Sequence, residues 1–141
     1  TFTCIDSITQ DATGHPTAVN VKTVTMPSGT RPYVVYSALL NQSGSTAGDA
    51  PVATILENSI SGTFIWTRQS AGEYQLTSTT TTPFPAGRTQ VFVNNGAPVV
   101  NSSMIKWERL TDDKIGIKTV DLSGSNVDDL LVNGSIEIRV Y

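Results

Sequence analysis

The clearest hydrophobic pattern lies at residues 135–141, SIEIRVY. There Ile136, Ile138 and Val140 alternate with Glu137, Arg139 and Tyr141. A period of two puts one face of an extended chain in a core and the other in water. Residues 62–78, GTFIWTRQSAGEYQLTS, repeat the pattern on both sides of a turn at Gln69-Ser70-Ala71-Gly72, where the glycine is free to take positive φ. Phe64 and Trp66 share one face of the first arm, and Thr63, Ile65 and Thr67 share the other. Across the turn, Tyr74 and Leu76 come into step with Phe64 and Trp66. Burying such a face is worth on the order of 1.5–3 kcal/mol per large side chain, so Trp66 is expected to pack inward. SMIKWERLTDDKIGIKTV predicts a second hairpin, bent at Asp112-Asp113, with Ile115 and Ile117 on one side. Trp107 shares a face with Ile105 and Arg109 and is expected to be half-buried against the core.

The remaining segments are shorter. RPYVVYSALL (31–40) carries bulky residues on both faces, as an interior strand does. NQSGSTAGDA (41–50) is a polar loop, and PVATILEN (51–58) is a strand. TSTTTTPFPAG (77–87) leaves the hairpin for an edge position, because Pro83 and Pro85 cannot donate to a central ladder. RTQVFVNNGAPVV gives a strand and a tight turn at Asn94-Asn95-Gly96. LSGSNVDDLLVNG (122–134) reads as a loop with one helical turn at 127–132. Within residues 1–30, alternation at Val19, Val21 and Thr23 supports one strand, and the first dozen residues read as an arm that docks on a neighbouring chain. The sum is eight to ten short strands with no useful helical period. That predicts an all-β fold, an antiparallel β-sandwich or jelly roll over residues 31–141 with an N-terminal arm or peripheral strand at 1–30.

Composition fits this picture. The chain has 141 residues, of which 15% are charged and 38% hydrophobic, with a net charge of −3. Thr, Ser, Asn and Gly take the place of charge, which suits neutral outer faces of strands. No basic run exists to neutralise a phosphate backbone, so nucleic acid is not an expected partner. The longest apolar stretches, such as residues 33–36, fall far short of a membrane span. No basic, apolar leader is visible at the start of the chain, so no signal peptide is read. The single cysteine excludes an intrachain disulfide.

Candidate chemistry is sparse. Nucleophilic catalysis needs a base beside Ser, Thr or Cys, yet the only histidine, His15, lies in a Gly-Pro turn context and the only cysteine, Cys4, in the arm. Asp112/Asp113 and Asp128/Asp129 are adjacent pairs, which face opposite sides of a strand or face water in a turn. Both pairs are read as turn-formers rather than a glycosidase dyad. Asp121, Ser123 and Ser125 faintly echo a calcium loop, but Asn126 stands where glycine is required and Val132 where glutamate is. No catalytic residue, cofactor site or metal site is therefore expected, and the chain is read as non-enzymatic. The threonine run is read as edge-strand structure. The sequons at Asn41, Asn101 and Asn133 arise readily in a Ser/Thr-rich chain.

The stretch YSALLNQSGSTAGDAPVATILENSISGTFIWTRQSAGEYQLTS resembles small β-rich proteins encoded by tailed bacteriophages and prophages. The shared pattern is Y-x-A-L-L-x-Q-S-G, then A-P-x-A-T-x-L-E-N, then a W-T-R hairpin ending G-x-Y, from about Tyr36 to Phe92. The resemblance implies a virion structural component made in the host cytoplasm: a capsid decoration, head-fibre or tail or neck accessory protein. Its partners would be copies of itself, trimers being a usual closed geometry, and other virion proteins such as the major capsid protein. The rival expectation is a glycan- or receptor-binding β-sandwich on a surface appendage, presenting an exposed tryptophan or tyrosine.

Overall fold

A computed structural model describes residues 2–25, 31–96 and 103–141. Among them are ten strands and no helix: β1 (Phe2–Gln10), β2 (Pro16–Val24), β3 (Val34–Asn41), β4 (Val52–Asn58), β5 (Phe64–Ser70), β6 (Glu73–Ser78), β7 (Thr89–Asn94), β8 (Met104–Thr111), β9 (Lys114–Val120) and β10 (Gly134–Val140). The chain divides into two compact units, Thr1–Arg31 and Pro32–Tyr141. No described helix is long and apolar enough to cross a membrane.

The larger unit is an antiparallel β-sandwich. One sheet runs β4-β3-β10-β7 and the other β5-β6-β9-β8. Alternation along each strand supplies the core. Tyr36, Ala38 and Leu40 from β3, with Ile136 and Ile138 from β10, face Trp66, Tyr74, Leu76, Ile115 and Ile117 from the opposite sheet. The register brings Trp66 opposite Leu76 and Leu76 opposite Ile115, so three neighbouring strands present one continuous apolar surface. Phe84 is wholly buried although it lies between strands. It stacks on Phe64 at 5.7 Å, and Phe64 tilts against Tyr36 at 4.9 Å. That aromatic column plugs one end of the sandwich, anchored where the Phe84 N–H donates to Asp112 O at 2.8 Å.

The two hairpins read from period-two patterning form with the expected turns, Ala71-Gly72 and Asp112-Asp113. Gly72 takes φ 63°. Three expectations need correction. Trp107 lies opposite Ile117, but β8 is an edge strand, so the ring overhangs the core and stays 41% exposed. The threonine run does not begin on an edge: Thr77 and Ser78 end β6, which lies between β5 and β9, and the chain leaves the sheet only afterwards. Residues 127–132 form no helical turn; side-chain and backbone bonds to neighbouring loops hold them irregular. Within residues 1–30 the strand read at Val19, Val21 and Thr23 is β2, and the first dozen residues supply its partner β1. The strand reading at 97–100 and the sequon at Asn101 lie outside the described residues.

Trp66 is 8% exposed and donates its indole N–H to Tyr36 Oη at 3.3 Å. A Trp107→Phe variant therefore retains one tryptophan, and its emission should be blue-shifted and only weakly quenched by acrylamide. Strong quenching would contradict the inward packing of Trp66.

Candidate functional site

The residues first weighed as chemistry do not converge. His15 and Thr13 lie in the turn between β1 and β2, where the Asp11 carboxylate accepts from Thr13 N (2.8 Å), Thr13 Oγ1 (2.6 Å) and His15 N (3.0 Å). Thr13 Oγ1 also lies 2.8 Å from His15 Nδ1. The hydroxyl gives its proton to the carboxylate, so the imidazole does not act on it as a base. These hydrogen bonds hold Asp11 below the usual carboxylate range, the Thr13 hydroxyl contributing most. Cys4 lies on β1, its thiol directed at Lys22 O. Asp121 organises its own turn, accepting from Ser123 N, Ser123 Oγ and Ser125 N at 2.7–2.9 Å. Asp112 pairs with Arg109, and Asp113 accepts from Thr111 Oγ1. Among the described residues no group of three or more His, Cys, Asp or Glu side chains is placed to hold a metal ion.

Asp128 and Asp129 depart from the turn-forming expectation. Asp128 turns inward, its side chain only 8% exposed, and takes a two-pronged bond from Arg68: Nε to Oδ1 at 3.0 Å and Nη2 to Oδ2 at 2.7 Å. Oδ1 also accepts from Tyr74 Oη (2.9 Å) and Gly72 N (3.0 Å). Tyr74 Oη lies 2.7 Å from Gln42 Oε1 as well, and that amide oxygen accepts from Asp129 N at 2.8 Å. The Gln42 Nε2 group donates to Gly44 O and Asp49 O, while Asp129 Oδ1 takes the Gly44 N–H. Thus the β3–β4 loop, the β5–β6 turn and the β9–β10 loop are fastened together at one end of the sandwich. Asp129 adopts φ 61°, which lets the two adjacent carboxylates serve different loops. Every buried side-chain N or O among the described residues has a partner. A network in which each buried polar atom has a partner acts as a fastener between the loops. Arg68 holds the Asp128 carboxyl down to about 2; burial opposes it, and Gly72 N–H and Tyr74 O–H reinforce it. Burial, then Asp128, pushes the Tyr74 phenol up.

An uncharged apolar face lies on the hairpin β1–β2. In a regular strand Ile5 and Ile8, three apart, would point to opposite faces. A β-bulge at Asp6 corrects this: Ile5 pairs with Val21, Ser7 with Asn20 and Ile8 with Val19. The inserted residue resets the alternation. Ile5, Ile8, Val19 and Val21 therefore share one face, with Thr3 and Thr23 extending it, while Cys4, Ser7, Thr9, Lys22 and Asn20 share the other. The four apolar side chains are 52–64% exposed, and the stripe contains no charge. Sequence reading missed it because the bulge hides the period: the alternation is carried by the pairing, and Ile5-x-x-Ile8 alone suggests no strand.

Comparison of the chain with protein-family models, curated proteins and solved structures finds no match in any of the three.

Two variants test the fastener. An added Cβ at Gly72 would stand 2.5 Å from Val127 N and 2.7 Å from Thr119 O, and the positive φ disfavours a side chain. Gly72→Ala should lose about 1–3 kcal/mol of stability or more in urea denaturation. For Asp128, a carboxyl that ionises more readily folded than unfolded stabilises the fold above its unfolded pKa. That stability vanishes as pH falls toward the folded value of about 2. The drop from 3.8 to about 2 corresponds to about 2.5 kcal/mol. Asp128→Asn should thus be less stable than the parent near neutral pH, with the gap closing between about pH 4 and 2. A gap independent of pH would show that ionisation is not what holds the loops.

Proposed function

We propose that this chain is a non-enzymatic structural component of a bacteriophage virion, a capsid decoration, head-fibre or tail or neck accessory protein, that acts by protein–protein assembly. Residues 1–30 attach and the sandwich projects. The observation that carries the reading is the uncharged apolar stripe Ile5, Ile8, Val19 and Val21 on a hairpin that, among the described residues, pairs only with itself. A two-stranded ribbon is marginal alone in water, and an exposed one-sided apolar face marks a surface that is covered in use. Two further features support it. The buried polar network fixes one end of the sandwich as a rigid scaffold, and the pattern from Tyr36 to Phe92 resembles virion-associated β proteins. Of the two tryptophans weighed for sugar stacking, Trp66 is committed to the core and to Tyr36, and Trp107 stands 41% exposed on the edge strand β8. On this reading the protein is made in the host cytoplasm, and its partners are its own copies and other virion proteins such as the major capsid protein.

Deleting residues 1–30 should leave a soluble, cooperatively folding sandwich that is missing from purified virions, whereas the full chain is present by quantitative mass spectrometry. Many copies per particle would place it on the shell, and few on the tail or neck. Virions that lack the full chain, or that carry the truncated chain at the same occupancy, would overturn the proposal.

A further inference from the structure

The hairpin β1–β2 has two unresolved needs besides its apolar face. Each of its nine-residue strands has one edge paired within the hairpin and one edge with no strand beside it among the described residues. Long bare edges are templates for pairing with another chain. An occupant must therefore cover one face and both edges. Resting on the assembly reading above, we propose that the occupant is this chain itself: three copies close their hairpins into one six-stranded antiparallel ring with Ile5, Ile8, Val19 and Val21 inside.

Geometry selects three copies over two. A ribbon of two nine-residue strands is about 30 Å long and about 10 Å wide, so its apolar face covers about 300 Å². Two ribbons pressed face to face bury only that much on each copy and leave all four edges bare. A stable interface needs roughly 800 Å² per partner. In a ring, each copy buries its face and both edges. With edge strips of similar area, this comes to about 900 Å² per copy. Symmetry agrees. Under a three-fold axis along the strands every β1 runs one way and every β2 the other, so the β2 edge of one copy meets the β1 edge of the next in antiparallel sense. The contact is head-to-tail and closes without leaving an edge. Chemistry agrees as well. An eight-stranded barrel is just filled by side chains and diameter falls with strand number, so six strands leave a narrow interior. The stripe offers only Ile and Val there, capped by Thr3 and Thr23, with no aromatic and no charge to bury. Lys22 stays out of it, because it shares the opposite face with Cys4.

Sedimentation of the full chain at micromolar concentration tests the ring, with two paired variants. The parent should sediment as three copies of a 15.0 kDa chain. Ile8→Glu with Val19→Lys keeps an attractive cross-strand pair within the hairpin but places charge inside the ring, and should sediment as one copy. Thr9→Glu with Ala18→Lys places the same pair at the neighbouring register position on the outer face and should remain three. Both tryptophans lie in the sandwich, so unchanged fluorescence in all three proteins would report that the larger unit is intact. A parent of one or two copies, or variants that dissociate together or not at all, would overturn the ring. Its failure is separable from that of the virion reading. A trimer absent from virions sinks only the latter, and a monomer present on virions sinks only the ring.

Discussion

The larger unit depends on a single carboxylate. Asp128 accepts from Arg68 on β5, Tyr74 on β6 and the backbone of Gly72 between them, while its own position comes from the long loop before β10. Two sheets pressed together by apolar side chains alone can slide, because dispersion and hydrophobic burial have little direction. Hydrogen bonds to an ionised, desolvated group have strong direction. Asp128 grips one sheet directly and is joined to the end of β3 through Tyr74, Gln42 and Asp129, which fixes the registration at one end, and the Tyr36–Phe64–Phe84 column does so at the other by shape. A buried ion pair adds little net stability over a well-packed apolar substitute. Its value here is that three loops with no regular pairing of their own acquire one arrangement.

The legible part of the fold is the part in which neighbours along the chain determine the outcome. Ile136, Ile138 and Val140 announce their strand because alternation is a local property, and Gly72 announces its turn because only one residue type takes that φ freely. Trp66 is placed correctly for the same reason: its face is shared with Phe64 in the same strand. Trp107 is misjudged because exposure depends on strand order within the sheet, which is a long-range fact that no local period encodes. The same holds for Asp128. Beside Asp129 it looks like one of two solvated turn residues, and nothing in the sequence says that Arg68, sixty positions away, lies across from it. The hairpin β1–β2 is harder still, since its pattern becomes visible only once the bulge at Asp6 is counted.

The two units differ in what holds them. The sandwich has its own core, a satisfied polar network and eight strands. The hairpin has one ladder, a turn organised by Asp11 and an apolar face in water. Segments of this second kind occupy the low end of local stability in a folded chain, and that is where segments that order on contact with a partner are found. On the assembly reading proposed above, burial of that face by a partner would make order in the ribbon and occupancy one equilibrium rather than two.

The bulge at Asp6 also bears on how this chain can change over generations. Without Asp6, Ile5 and Ile8 would stand two apart and share a face of a regular strand, and one added residue between them would leave them four apart with the same result, whereas a change of two keeps an odd spacing that still needs a bulge. Gene drift in this segment is thus filtered by parity: a change of one residue can keep the greasy side by abolishing the bulge, and a change of two keeps it only where the bulge survives.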